Sequence, residues 1–419
     1  MQRLRGNPAG AGDLCGGGFG MSALDDLFCG LAFFGTGGGG RAAPALEMLR
    51  GHFGPSWLPN FVSPDTLPPD TLAAATIVIG GRDPDADFSP EERRALDLPA
   101  TDIGMAERFA ASILAVGAHL GRPVGAVAVV ELGAMATAAT LIAADRLGIP
   151  VLDSDCTGRS IPELGLTKMA LAGVGIGPVG LADRFGGQTV LSGLASSGMA
   201  DRMARQICRA VQGRGLAATV HAAPIARFAQ GLVPGSIHQA WSLGTILNSA
   251  DRVENRLAAL ARATGGRITA RATLRETRWR SREPYAFREF DYIFVNDETG
   301  HEIQVFVKNE HHLVREQGRL LASSPDVIAI LDASDLTPLV TLGDVVPGQK
   351  VIIFTCPALD DCWRRESGKR LLGPRAFGID ADPVLIPRPA GDSKADGAAS
   401  GPGRSARSGG RTTGAALMP

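Results

Sequence analysis

Leu24, Leu27, Phe28 and Leu31 recur at three- and four-residue intervals behind Ser22, the pattern of an amphipathic helix with a serine N-cap. The run GTGGGG (35–40) ends that helix, and Ala42 to Leu49 starts another. TIVIGG (76–81) reads as a buried strand, 105–119 as a helix, GAVAVVELG (125–133) as a second strand, Met135 to Leu147 as a small-residue helix and IPVLDSD (149–155) as a third strand. Strand, helix and strand at this spacing predict βαβ units and a parallel sheet. Helices are expected near 160–173 and 198–211, a strand over LAATVHAAPI, and a helix from Ser236 to Ala250. From Arg267 the pattern changes to strand-like segments, 267–282, 290–297, 302–314, VIAILDA and QKVIIFTCP, punctuated by turn signals such as DETG and VVPGQ. The expectation is an α/β N-terminal domain with a parallel-containing sheet over 21–215 and a β-rich C-terminal domain over 216–388.

Composition agrees with two domains. The 419 residues are 45% hydrophobic and 20% charged, with 54 glycines and 5% aromatics, which suits an Ala/Val/Leu/Gly-packed α/β core. A net charge of −1 gives no reason to expect nucleic acid or an anionic membrane as partner. The six cysteines (15, 29, 156, 208, 356 and 362) form no C-x-x-C pair, which argues against a zinc site or a disulfide scaffold and fits a cytoplasmic location. No apolar stretch has the length of a membrane span. Residues 1–20 lack a signal-peptide core, and Met21 resembles a natural start. That segment and the Gly/Ser/Arg-rich 389–419 are expected to be a disordered extension and tail.

The glycine run satisfies G-x-G-x-x-G as written, at 35, 37 and 40. A dinucleotide fingerprint needs a strand before it and an acidic residue after the next strand, and neither is present. No Gly-Lys-Ser/Thr follows, so a Walker A loop fails as well, and no nucleotide is expected. Two readings stay open: a helix–glycine–helix turn whose amides bind a carboxylate or carbonyl oxygen, or a hinge with no ligand.

Ligands of open parallel sheets bind beyond the carboxyl ends of strands. Glu131 ends one predicted strand, and Asp153 and Asp155, two apart and so on one side, end the next. Convergence of the three would make a general-base cluster or a divalent-metal site, with Arg159 pairing to a carboxylate or a substrate anion. The competing expectation is that an aspartate caps the next helix while Glu131 is solvated. His311 and His312, adjacent on a strand, face opposite ways and are expected at the surface. His238 suits a packing or capping role near a helix start, and Cys156, beside carboxylates that raise a thiol pKa, a structural thiol.

Taken in order, FGTGGGG, ELG, GIPVLDSDCTGRSIPELGLT, KNEHHLV, SSPDVIAILD and GPRAFGID resemble the S-methyl thiohydantoin desulfurase family over about residues 22–388. Shared positions are Gly37 to Gly40, Glu131, Gly133, Asp153, Asp155, Gly158, Arg159, Pro162, Glu163, Asn309, Glu310, Pro325, Asp326 and the segment Pro374 to Gly378. GAMA stands where the family carries a Gly-Gly-Asn-like run, and Cys156 and Thr157 replace a glycine and a methionine. The resemblance implies an α/β domain followed by a β-rich one, and hydrolytic removal of the 2-sulfur substituent of a thiohydantoin-type ring to leave a hydantoin.

On that reading Glu131, Asp153 and Asp155 would be base or metal ligands, Arg159 an orienting cation, and Thr36, Gly37, Gly38, Gly39, Gly40, Asn309 and Glu310 substrate-binding residues. The partner would be a small heterocyclic substrate. A homo-oligomer or association with a hydantoinase-type subunit is open. The alternatives are a hydantoinase-like cyclic amide hydrolase and a non-catalytic accessory subunit.

Overall fold

Two sheets of different construction share the chain. The structure, a computed structural model, describes residues 22–81, 87–213, 215–281, 286–340 and 344–388. Expectations for 1–20 and 389–419 lie outside the described residues. Up to Pro387 the chain forms one unit, and Arg388 opens a second whose other residues are not described.

The first sheet runs in the order Phe61–Val62, Val151–Asp155, Ala126–Val129, Leu72–Ile79, Leu216–Pro224, Val179–Ala182 and Gln188–Leu191, with Val233–Pro234 pairing to Val151–Asp155. Its first four strands are parallel and the remaining pairings antiparallel, so the α/β domain has a mixed sheet. The helices Met105–Leu120 and Ala134–Leu147 make the crossovers between the central parallel strands. Each ends on a left-handed glycine, Gly121 or Gly148, a conformation that costs glycine little. The helix Ala23–Phe34 carries a capping box between Ser22 and Asp25. It packs backbone to backbone on the helix Ser236–Leu247: a Cβ on Gly30 would lie 1.7 Å from the Ala240 carbonyl oxygen, and one on Gly244 1.7 Å from that of Asp26.

The second sheet is wholly antiparallel, in the order Arg319–Ser323, Glu310–Glu316, Glu302–Lys308, Glu289–Asn296, Arg267–Ser281, Lys350–Cys356 and Val327–Asp332. One core runs from the N-terminal helices into this sheet through Val327, Ala329, Ile352 and Phe354, and the Phe33 and Phe354 rings meet at 6.1 Å.

The boundary expected near residue 215 cuts through the first sheet. Leu216–Pro224 lies between Leu72–Ile79 and Val179–Ala182, and the chain enters the second sheet only after the helix Val253–Thr264. The segment 302–314 is two strands rather than one. Asn309 reverses the chain between them at φ +58°, a left-handed conformation that asparagine tolerates, with Oδ1 accepting the Arg288 N–H at 3.0 Å. The helix expected over 160–173 is confined to Lys168–Leu171. No helix among the described residues is long and apolar enough to cross a membrane.

Candidate active site

A cavity of about 350 Å³ is lined by both sheets. The first contributes the carboxyl ends of its central strands, at Ile77 to Gly81 and Glu131, together with Gly37 to Gly40 and Ile161. The second contributes Phe290, Tyr292, Val307, Asn309, Glu310 and His311. The strand-end rule thus locates the cavity, but the opposite wall comes from a different sheet.

The glycine run is a turn between the helices Ala23–Phe34 and Ala42–Phe53. Gly37 and Gly40 have φ of +94° and +80°. The loop is also too crowded for side chains. A Cβ on Gly37 would lie 2.5 Å from the Asn309 carbonyl oxygen, one on Gly39 2.7 Å from Gly35 Cα and 2.9 Å from Gly133 Cα, and one on Gly38 1.7 Å from Glu310 Oε1. The glycines let the corner of the second sheet close on the first and bring the Glu310 carboxyl onto the loop.

Ser160 joins the two glutamates of the cavity. Its Oγ lies 3.1 Å from Glu131 Oε2 and 2.9 Å from Glu310 Oε1, while its backbone N–H donates to the Phe34 carbonyl at 3.0 Å. Glu131 Oε2 also accepts the Ile161 N–H at 2.6 Å. Burial, opposed by the bonds from Ile161 and Ser160 and assisted by the charge of Asp155, pushes the Glu131 carboxyl up to about 7. Burial, then the neighbouring Glu131, push Glu310 well above the ordinary carboxylate range.

Asp153 and Asp155 do not reach this cavity. Both turn to the start of the helix Ser236–Leu247: Asp153 Oδ1 accepts the His238 N–H at 3.0 Å and Oδ2 meets the His238 ring at 2.8 Å, while the Asp155 N–H donates to Ser236 Oγ at 2.9 Å. Asp155 Oδ2 accepts the N–H groups of Thr157 and Gly158 at 3.0 and 2.6 Å, a turn-stabilising role. Burial raises its carboxyl to about 7. The expected convergence with Glu131 therefore fails. Among the described residues no group of three or more His, Cys, Asp or Glu side chains is placed to hold a metal ion.

Arg159 is likewise not a cavity residue. Its guanidinium donates to the carbonyls of Ser160, Asp326 and His311 at 3.1, 2.8 and 2.9 Å, tying the loop after the third parallel strand to the second sheet. Burial lowers it to about 10. Thr36, expected at the substrate, lies 2.9 Å through Oγ1 from His311 Nδ1 instead. Cys156 is buried with its thiol raised by burial and by Asp155, as a structural thiol should be.

His311 and His312, expected at the surface, are both buried because their strand is interior to the sheet. His311 lines the cavity, and burial lowers it to about 4, so it is neutral at physiological pH. Its Nδ1 lies 2.9 Å from Thr36 Oγ1 and 3.1 Å from the Ile328 carbonyl oxygen. His312 stacks on Phe377 at 3.7 Å. Sequence reading also missed Ser160, Tyr292 and the pair Asp201–Arg205 (3.5 Å) in the cavity lining or beside it. Burial raises Asp201 to about 6. The GRSIPE stretch held a signal for Ser160, since it adjoins a candidate arginine, but nothing local tells that both glutamates meet it.

Fold and cavity define a two-sheet protein with a glutamate pair and a glycine loop where its α/β and antiparallel halves meet. Residues 22–193 match the S-Me-THD-like, N-terminal domain and residues 195–386 the S-Me-THD-like, C-terminal domain. The chain belongs to the S-Me-THD-like family. A crystal structure of a protein from Chromobacterium violaceum superposes with a TM-score of 0.65 at 20% identity, over 87% of this chain and 98% of that one, a likeness of fold. No curated protein matches the chain.

Proposed function

We propose that the protein is a hydrolase that removes the 2-sulfur substituent of a thiohydantoin-type ring, with Glu131 as general base. The observation that carries this reading is the Glu131 carboxyl, which lines the cavity with Oε2 held by Ser160 and the Ile161 N–H and which burial pushes up to about 7. Membership of the S-Me-THD-like family supports a thiohydantoin-type substrate.

In an S-alkylated ring the C2=N bond is the electrophile. Water oxygen bonds to C2 as Glu131 takes one of its protons, the C=N electron pair moves onto the ring nitrogen, and Glu131 passes that proton to the nitrogen and returns to its ionised form. Collapse of the adduct forms C2=O and breaks C2–S, and the thiol leaves with the second proton. The loop Gly37 to Gly40 and Asn309 line the cavity where ring oxygen and nitrogen would need donors. The apolar side chains of Ile77, Phe290 and Val307 supply walls for a flat heterocycle.

The test is thiol release, followed with a thiol-reactive dye, from S-methyl thiohydantoins and free thiohydantoins, with Glu131→Gln as control. Methanethiol or sulfide with hydantoin as the second product supports the proposal. Ring opening without sulfur release would favour the hydantoinase reading, and saturable binding without turnover the accessory one.

A further inference from the structure

Ser160 serves two carboxyl groups with one hydroxyl hydrogen. Its Oγ is 3.1 Å from Glu131 Oε2 and 2.9 Å from Glu310 Oε1, both hydrogen-bond distances, and an ionised carboxylate can only accept. The serine can donate to one of them. The other contact needs a hydrogen on the carboxyl itself.

The surroundings decide which carboxyl holds it. Glu131 Oε2 already accepts the Ile161 N–H at 2.6 Å, a second donor suited to an anion. Glu310 is 2% exposed, and its buried Oε2 has no hydrogen-bond partner among the described residues. Left ionised, Glu310 would bury an anion with one oxygen bare; as an acid it leaves bare only a carbonyl oxygen, a far smaller loss. The donors of the nearby cations are directed elsewhere, although the charge of Arg159 still opposes the upward shift of Glu310. Arg159 donates to backbone carbonyls, Arg205 pairs with Asp201, and Lys308 pairs with Glu163 at 2.7 Å. His311 is neutral and supplies no counter-charge.

We propose that Glu310 stands in the folded protein as a neutral carboxylic acid donating to Ser160 Oγ, which turns the Ser160 hydroxyl toward Glu131. Glu310 is thus a positioning residue acting through Ser160. Its role in catalysis rests on the reading of Glu131 as base, whereas its protonation does not.

Infrared spectroscopy of the ligand-free protein carrying carboxyl-¹³C glutamate tests the proton directly. The wild type should show an isotope-shifted C=O stretch of a protonated glutamic acid that persists at pH 9, above the titration of Glu131. Glu131→Gln should keep that band and Glu310→Gln should lose it. Absence of the band in the wild type, or its loss in Glu131→Gln with retention in Glu310→Gln, would overturn the assignment. The wild-type spectrum alone decides if a variant fails to fold. The second arm reads Ser160→Ala by thiol release. Loss of one donor should move the acid limb of kcat/KM up by about one pH unit, and an unmoved limb would overturn the relay. The infrared band needs no substrate, so a failed desulfurase assay and a failed proton assignment are separate results.

Discussion

Glu131 and Asp153 look alike in the sequence, each an acidic residue at the end of a parallel strand, yet they have different surroundings. Glu131 meets the cavity, whereas Asp153 binds His238 at the start of a helix 85 residues on. Strand-end position was legible locally; the occupant of the space beyond the strand is a tertiary fact. Glu131→Gln should therefore lower turnover by about 10² to 10⁴-fold, whereas Asp153→Asn should leave kcat within a few-fold of wild type, both checked by steady-state kinetics beside thermal melts. Because the base must be ionised, kcat/KM should rise with pH and level off above about 7. Stability carries the opposite sign. A carboxyl raised from 4.5 to about 7 by folding costs nothing below pH 4.5, and its penalty grows through that window to a full value above it. Glu131→Gln should then gain on the wild type by roughly 2 to 3 kcal/mol between pH 5 and pH 8. A stability difference that is flat with pH would show Glu131 to be solvated.

At the scale of elements, the glycine run was readable as a helix–glycine–helix turn, and the helix before it argues against a dinucleotide loop. What the local pattern lacked was the partner. The loop is crowded by Asn309 and Glu310 from a strand corner, and that corner was hidden because 302–314 reads as one continuous β pattern. The expectation of His311 and His312 at the surface has another cause: nothing local tells that their strand has a neighbour on each side. Gly38→Val would put a side chain into the Glu310 carboxyl, 1.7 Å from the Cβ position, and near Ser160 Oγ at 3.1 Å. It should cost about 1 to 3 kcal/mol of stability as an overpacking change and reduce turnover far more than melting alone explains, because it displaces the carboxyl that holds Ser160. NAD and ATP should give no thermal shift with the wild type at millimolar concentration. A clear shift with NAD would overturn this account of the loop.

Across the whole molecule, the two matched family segments meet near residue 194, but the sheets do not divide there. The βαβ spacing made the parallel half of the first sheet legible. Its antiparallel half depends on Leu216–Pro224 inserting beside Leu72–Ile79, a pairing no periodicity encodes. The helix Ser236–Leu247 also returns from the second segment to cover the helix Ala23–Phe34, whose Leu24, Leu27, Phe28 and Leu31 are all at most 1% exposed. A fragment of residues 22–193 would expose the inner edge of Leu72–Ile79, leave Val179–Ala182 without its central neighbour, and bare the face of the first helix. Expressed alone it should be aggregated or lack a cooperative melt, whereas residues 22–388 should melt in one transition that Glu131→Gln leaves cooperative. Extending the fragment to 264 restores both the missing strand and the covering helix, so it should recover solubility over the 22–193 piece while remaining inactive, since Asn309, Glu310 and His311 are still absent from the cavity. A soluble, cooperatively folding 22–193 fragment would show that the first sheet closes without its antiparallel half.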